Sequence, residues 1–490
     1  MPVLVGAAVT ALLAAGFAVS AGLGANVLVI ALAVAGTALV GAWSQGRWRS
    51  GWGVVWGIAA VGLSALPLWR DDGWFQPVLL GGAVLAGTLA LGGGRTWDRI
   101  VTRPLAYAVR VPWALVWMRE GAWQFGVGRR VPTAALARAA VVTAGVAVVF
   151  AALFAAADAV FAQLLTALAP DVGVSDVVLR LILGFLGAVA AAGAAYFART
   201  SADASRSAAA EPTRLRIPRI PVRGRVEWLV PLAVLDVLFG LFAVVQGVVL
   251  FGGDTELLDA ADTTRAEYAR AGFWQLFWAT LLTLGVIALT LHTVPRERPA
   301  ERRLATRLVA VLAVCALVIG AASLYRARAY VRDFGLDRPR LVMGGVELWL
   351  CAVLVLVLLG LAWRAVGRVL ARAVVASGLA TFAVLGALSP DAVIADQRVD
   401  LFARTGRIDV AYLQGLGADA VPALDRLPEP YRSCALRDIA ERLDGDRRPW
   451  YATSIARERA LRILAARPVD PEVRSTCAWT LRDARPGGAA

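Results

Sequence analysis

The chain has no lysine: all fifty basic residues are arginine, against 36 Asp and Glu. A Walker A loop needs a lysine to reach the β- and γ-phosphates, and Schiff-base catalysis needs a lysine amine. Neither chemistry can operate here. Histidine is almost as scarce. His292 is the only one, which excludes HExxH zinc sites and any Ser–His–Asp or Cys–His nucleophilic pair built elsewhere. No GxSxG or CxxC occurs, and Gly415-Leu416-Gly417 lacks the strand-to-helix setting of a nucleotide fingerprint. These absences predict no metal site, no cofactor and no catalytic constellation.

Charge of either sign is also sparse. Charged residues make up 18% of the 490 and hydrophobic residues 59%, whereas soluble domains run near ~25% and ~45–50%. With a mean hydropathy of +0.66, the apolar excess needs a bilayer to bury it. The composition therefore predicts an all-α polytopic transmembrane bundle over residues 1–389 and a small α-helical soluble tail over 390–490. The sequence pI near 10.7 reflects arginines in loops between apolar runs, so the expected partner is the lipid bilayer and not nucleic acid.

A hydrocarbon core of ~30 Å takes about 20 helical residues. On that measure about eleven spans are expected, near 3–20, 23–43, 52–69, 75–93, 139–157, 177–197, 228–251, 271–291, 304–324, 341–362 and 369–389. Gly22, Gly24 and Asn26 suit a tight turn between the first two. The lack of basic residues before the first run argues against a cleaved signal peptide. Pro104 to Met118 is short, interrupted by Arg110 and Pro112, and carries Trp113 and Trp117. It reads as a helix lying in the interface.

Loops after even-numbered spans hold 25 arginines; those after odd-numbered spans hold nine, five of them in 325–340. The positive-inside rule then puts the N-terminus in the cytoplasm and, with an odd span count, the tail outside. Arg214, Arg216, Arg219, Arg223 and Arg225 form a basic, proline-punctuated juxtamembrane stretch suited to anionic lipid or serving only as a topology signal. The loop 325–340, with Arg326 and Arg332, breaks the charge rule. It is expected either to pair with the acidic loop 252–270 or to bind an anion.

Ionisable groups inside spans are costly and usually face a bundle interior, a cavity or a partner. Asp236 and Gln246 fall in the seventh span, about 80° apart around the helix, and Glu347 falls in the tenth. These groups either bind a proton or cation or hydrogen-bond a neighbouring helix. In the tail, Leu436, Ile439, Ala440 and Leu443 form one amphipathic stripe, and Ala452, Ile455, Ala456, Ala460, Ile463 and Leu464 form another. Shorter helices are expected at 408–415 and 418–426. Cys434 and Cys477 are a candidate disulfide if the tail is outside and free thiols if it is cytoplasmic.

LDVLFGLFAVVQGVVLFGG from Leu235, RAEYARAGFWQL from Arg265, SLYRARAYVRDFGLDRPRL from Ser323, SPDAVIADQRVD from Ser389 and DVAYLQGLGADAVPAL from Asp409 together resemble a bacterial multi-span membrane family catalogued only as a domain of unknown function. The resemblance covers about 230–425, and more loosely the first spans, and implies architecture, not chemistry. Two functions remain in view. One is a non-enzymatic sensor, scaffold or assembly protein acting through its loops and a protein partner of its tail. The other is a secondary transporter coupled through Asp236 and Glu347.

Overall fold

A computed structural model describes residues 2–17, 22–43, 51–94, 96–124, 174–206, 225–251, 273–293, 299–446, 448–470 and 477. Among these the chain is all α, without a strand. The helices are α1 Pro2–Gly16, α2 Ala25–Trp43, α3 Gly51–Trp69, α4 Gln76–Gly92, α5 Trp97–Gln124, α6 Val174–Arg206, α7 Arg225–Phe251, α8 Phe273–Thr293, α9 Pro299–Phe334, α10 Arg338–Ala362, α11 Arg364–Leu388, α12 Pro390–Thr405, α13 Val410–Gln414, α14 Val421–Leu424, α15 Tyr431–Gly445 and α16 Ile455–Ala466. Seven of them are long and apolar enough to cross a membrane, and Pro2–Gly16, Gln76–Gly92 and Trp228–Val244 are shorter apolar helices. The expected span at 139–157 and the acidic loop 252–270 lie outside the described residues.

Large aliphatic side chains are exposed along these helices: Leu12, Ile58, Val237 and Leu282 among them. In water such faces would be an aggregation hazard; in a bilayer they are the lipid-facing surface. The protein is a multi-span membrane protein.

The chain forms two compact units. The first comprises Met1–Gly94, Asp98–Leu215 and Gly445–Glu458; the second comprises Arg95–Trp97, Arg216–Asp444 and Arg459–Ala490. In the first unit α6 packs against α1 and α2, and α3 pairs with α4. Helices in lipid associate through small residues that let backbones approach. Gly187 does this on α6, where a Cβ would stand 2.7 Å from that of Ala14. α5 includes the stretch read as interfacial. Its contacts lie along α6 from its middle towards its C-terminal end: Tyr107 Oη donates to Ala190 O at 3.0 Å, the Arg110 guanidinium lies over Phe197, and Trp117 meets Tyr196.

In the second unit α9 is the hub, packing against α7, α8 and α10, and α10 pairs with α11. Leu312, Ala313, Ala316, Leu354 and Val357 lie at the centre of its apolar core. Here one expectation needs correction. Residues 325–334 are not loop, because α9 continues unbroken to Phe334 and only 335–337 separate it from α10. No proline or glycine interrupts the stretch before Gly335, whose φ of +84° ends the helix. Asp337 then caps α10, its carboxylate accepting from Arg340 N at 2.8 Å, with Pro339 in the first turn. The charged side chains that resemble a loop instead decorate a helix leaving the bilayer. Its Val331, and Leu336 just beyond it, pack into the apolar core of the tail with Ile394, Leu413, Leu424 and Leu436.

The tail helices α12 to α16 follow directly, starting at a Ser389 that is buried and at φ +57°. Leu436, Ile439 and Leu443 are buried, as their spacing predicts, whereas Ile455 is exposed. Ala452 and Ala460 of the second stripe are buried as expected, and α16 turns Arg457 inward as well.

Candidate functional site

A dense polar construction of the second unit is the joint between the α9–α10 turn and the tail. The turn offers backbone groups that a helix cannot satisfy, and α12 supplies their partners. Gln397 accepts from Leu336 N at 2.8 Å and donates to Val331 O at 3.1 Å, and Arg398 Nε donates to Leu336 O at 2.9 Å. Arg338 completes the joint. Its Nε and Nη2 donate to the two oxygens of Asp391 at 2.7 and 2.5 Å, and Nη2 also reaches Gly415 O. The Asp391 side chain is wholly buried and takes a third hydrogen bond from Gly417 N at 2.7 Å. Tyr412 Oη accepts from Arg338 N, and burial holds its phenol above the usual range against that bond and the neighbouring guanidiniums.

Two of the five arginines in 325–340 are therefore accounted for locally. Arg338 engages the tail, and Arg340 pairs with Asp337 and lies 3.5 Å over the Tyr330 ring. Arg326 is buried near the C-terminal end of α9 and Arg332 is exposed. Deeper in the tail, the fully buried Arg432 binds Asp425 and the carbonyl oxygens of Arg467 and Pro468. Cys434 and Cys477 are joined as a disulfide with Cα atoms 5.6 Å apart.

The first unit has a joint of its own. Segment 445–458 lies on the α1–α2 and α3–α4 turns. Asp71, just past α3, receives Arg448 at 3.1 Å and Arg457 at 3.5 Å, and Asp446 bridges the same two guanidiniums. The α1–α2 turn is shaped for this contact. Asn26 accepts from Gly24 N and Val27 N and donates to Gly22 O. A Cβ on Gly24 would stand 2.3 Å from Thr453 O, and Gly22 at φ +120° faces Arg448 at 2.7 Å.

Within the spans, Glu347 is wholly buried where α8, α9 and α10 meet. Thr280 Oγ1 lies 3.0 Å from its Oε1, and Gly320 makes the space: a Cβ there would stand 3.2 Å from Oε1 and 2.5 Å from Cys351 Sγ. Oε2 has no hydrogen-bond partner among the described residues, nor do the two carboxylate oxygens of the buried Asp236. Asp236 lies within electrostatic reach of Cys315 on α9, so the two carboxylates address different parts of that helix. The side chains of Gln246 and Arg225 and the whole of 207–224, with Arg214, Arg216, Arg219 and Arg223, lie outside the described residues. Among the described residues no group of three or more His, Cys, Asp or Glu is placed to hold a metal ion.

Residues 57–427 match a family model described as "Domain of unknown function (DUF4153)". The match runs from within α3 through the Arg338–Asp391 joint and takes in the whole stretch over which the sequence motifs agree. No curated protein and no solved structure matches the chain.

Proposed function

The chain belongs to the DUF4153 family, and we propose that it is a non-enzymatic membrane assembly or sensor protein whose tail is held on the outer face as a rigid extension of the bundle. The observation that carries this reading is the Arg338–Asp391 joint, together with α9 running from the membrane core into the tail core. A tail on a flexible tether would report nothing to the helices; one that shares a helix and a buried ion pair with them moves as they move.

The outer placement draws support from the arginine distribution: the loops after even-numbered spans hold 25 arginines and those after odd-numbered spans nine, which with eleven spans puts the tail on the arginine-poor side. A disulfide between Cys434 and Cys477 fits the same oxidising compartment.

The test is a photo-activatable cross-linker at the exposed Arg404 position of the full chain in its native membrane. The reading expects a discrete partner adduct that weakens in Arg338→Ala; no adduct from any exposed tail position contradicts it.

A second reading rests on Glu347, a buried carboxylate inside the spans with one oxygen that has no hydrogen-bond partner among the described residues. It would carry a proton or cation in a transport cycle. In proteoliposomes, Glu347→Gln should then abolish cation-driven proton movement at normal expression, and unchanged movement removes the reading.

A further inference from the structure

Trp450 is 74% exposed, an unusual state for the largest apolar side chain of a folded domain. Its surroundings in the first unit give a reason. Phe17 follows α1 at the point where that helix ends, and its ring meets Trp450 at 6.1 Å and Tyr451 at 5.1 Å, both edge to face. Two residues before Trp450, Arg448 binds Asp71, which lies two residues past Trp69 at the end of α3. Trp69 and, in the α3–α4 turn, Trp74 are exposed as well. The segment is thus pinned at the level where four membrane helices enter and leave.

That level can be gauged along α3. Trp52 near its start and Trp69 at its end are 17 residues apart, about 26 Å at 1.5 Å per residue. A hydrocarbon core of ~30 Å with aromatic side chains at both interfaces has this spacing. Arg448 is already occupied by Asp71 and Asp446, so the segment presents an indole without a competing free charge. An indole has an apolar body and one N–H donor, which suits the headgroup layer better than bulk water.

We propose that Arg448–Thr453 is a membrane-surface element, with the Trp450 ring lying in the lipid headgroup layer beside Phe17, Trp69 and Trp74. The tail would then touch the bilayer itself as well as the helices. The proposal rests on α1 to α4 crossing the bilayer, and not on which face the tail occupies or on any assembly partner.

The experiment is site-directed spin labelling of the full chain in lipid vesicles, with Cys315→Ser and Cys351→Ser removing the free thiols and the disulfide retained. Labels at Trp450→Cys, at Leu12→Cys as a lipid-facing reference and at Arg404→Cys as a water-facing reference are compared for collisions with oxygen and with a water-soluble nickel chelate. The expected result at 450 is an oxygen-to-nickel ratio several-fold above that at 404 and below that at 12. A ratio equal to that at 404 overturns the proposal. So does low accessibility to both reagents, which would show a protein surface covering the site. A Leu12 label that behaves like the one at 404 would refute the spanning premise instead.

Discussion

Arg338→Ala should loosen the tail more than any other single truncation in the α9–α10 turn. The Asp391 side chain has no contact with solvent and takes a bidentate pair of hydrogen bonds from Arg338. Removing the guanidinium leaves a buried carboxylate without its bidentate counter-charge, and breaking a buried pair in this way costs about 3–5 kcal/mol. The reverse truncation is milder, because the Arg338 side chain keeps 29% of its surface in water and its charge can be solvated when Asp391 is lost. At 1.4 kcal/mol per tenfold, Arg338→Ala should speed amide exchange across 391–427 by roughly two to nearly four orders of magnitude. Hydrogen-exchange mass spectrometry on the full chain in nanodiscs reads this directly. Replacing both residues with apolar side chains of similar volume should recover much of the loss. Exchange within threefold of wild type in Arg338→Ala, or a larger effect from Asp391→Ala, would refute the reasoning.

Three further outcomes follow from the packing. Gly24→Ala drives a Cβ into Thr453 O and should cost about 1–3 kcal/mol, seen as faster proteolysis within 445–458; Gly57→Ala, where the same Cβ meets nothing within 4 Å, should leave that segment unchanged. Gly320→Ala should lower the thermal midpoint of the bundle, and Cys351→Ala should restore part of it, because the clash is with the Cys351 sulfur; equal midpoints with and without Cys351 would refute the contact. Reducing the Cys434–Cys477 bridge opens a loop of sequence separation 43 and should destabilise the tail by up to about 4 kcal/mol, measured as a drop in the denaturant midpoint of tail exchange.

Much of the fold was legible because its signals are local. Apolar runs of span length gave helices, Gly22, Gly24 and Asn26 gave the turn they suggest, and the Leu436–Ile439–Leu443 stripe gave a buried helical face. The stretch 325–334 misled because arginine density in a membrane protein usually marks a loop, while here the helix leaves the bilayer and enters a polar domain. Both joints were hidden for a different reason. Arg448 and Arg457 meet Asp71 across 377 and 386 residues, and no periodicity reports so distant a pairing. Arg432 was invisible because a charged residue reads as solvent-facing; only the carbonyls and carboxylates gathered around it explain its burial. In the second stripe Ala452 and Ala460 are buried as their spacing suggests, but Ile455 is exposed while the paired Arg457 takes a buried position.

The central claim is that the tail stands outside the membrane, fastened to the bundle. The native tail cysteines are buried, so the direct measurement uses Arg404→Cys with Cys315→Ser and Cys351→Ser in the full chain. Membrane-impermeant maleimide is applied to intact spheroplasts and to lysed ones. The account predicts full labelling of position 404 in intact spheroplasts, without added gain on lysis. Labelling that appears only after lysis would place the tail in the cytoplasm and contradict the eleven-span topology.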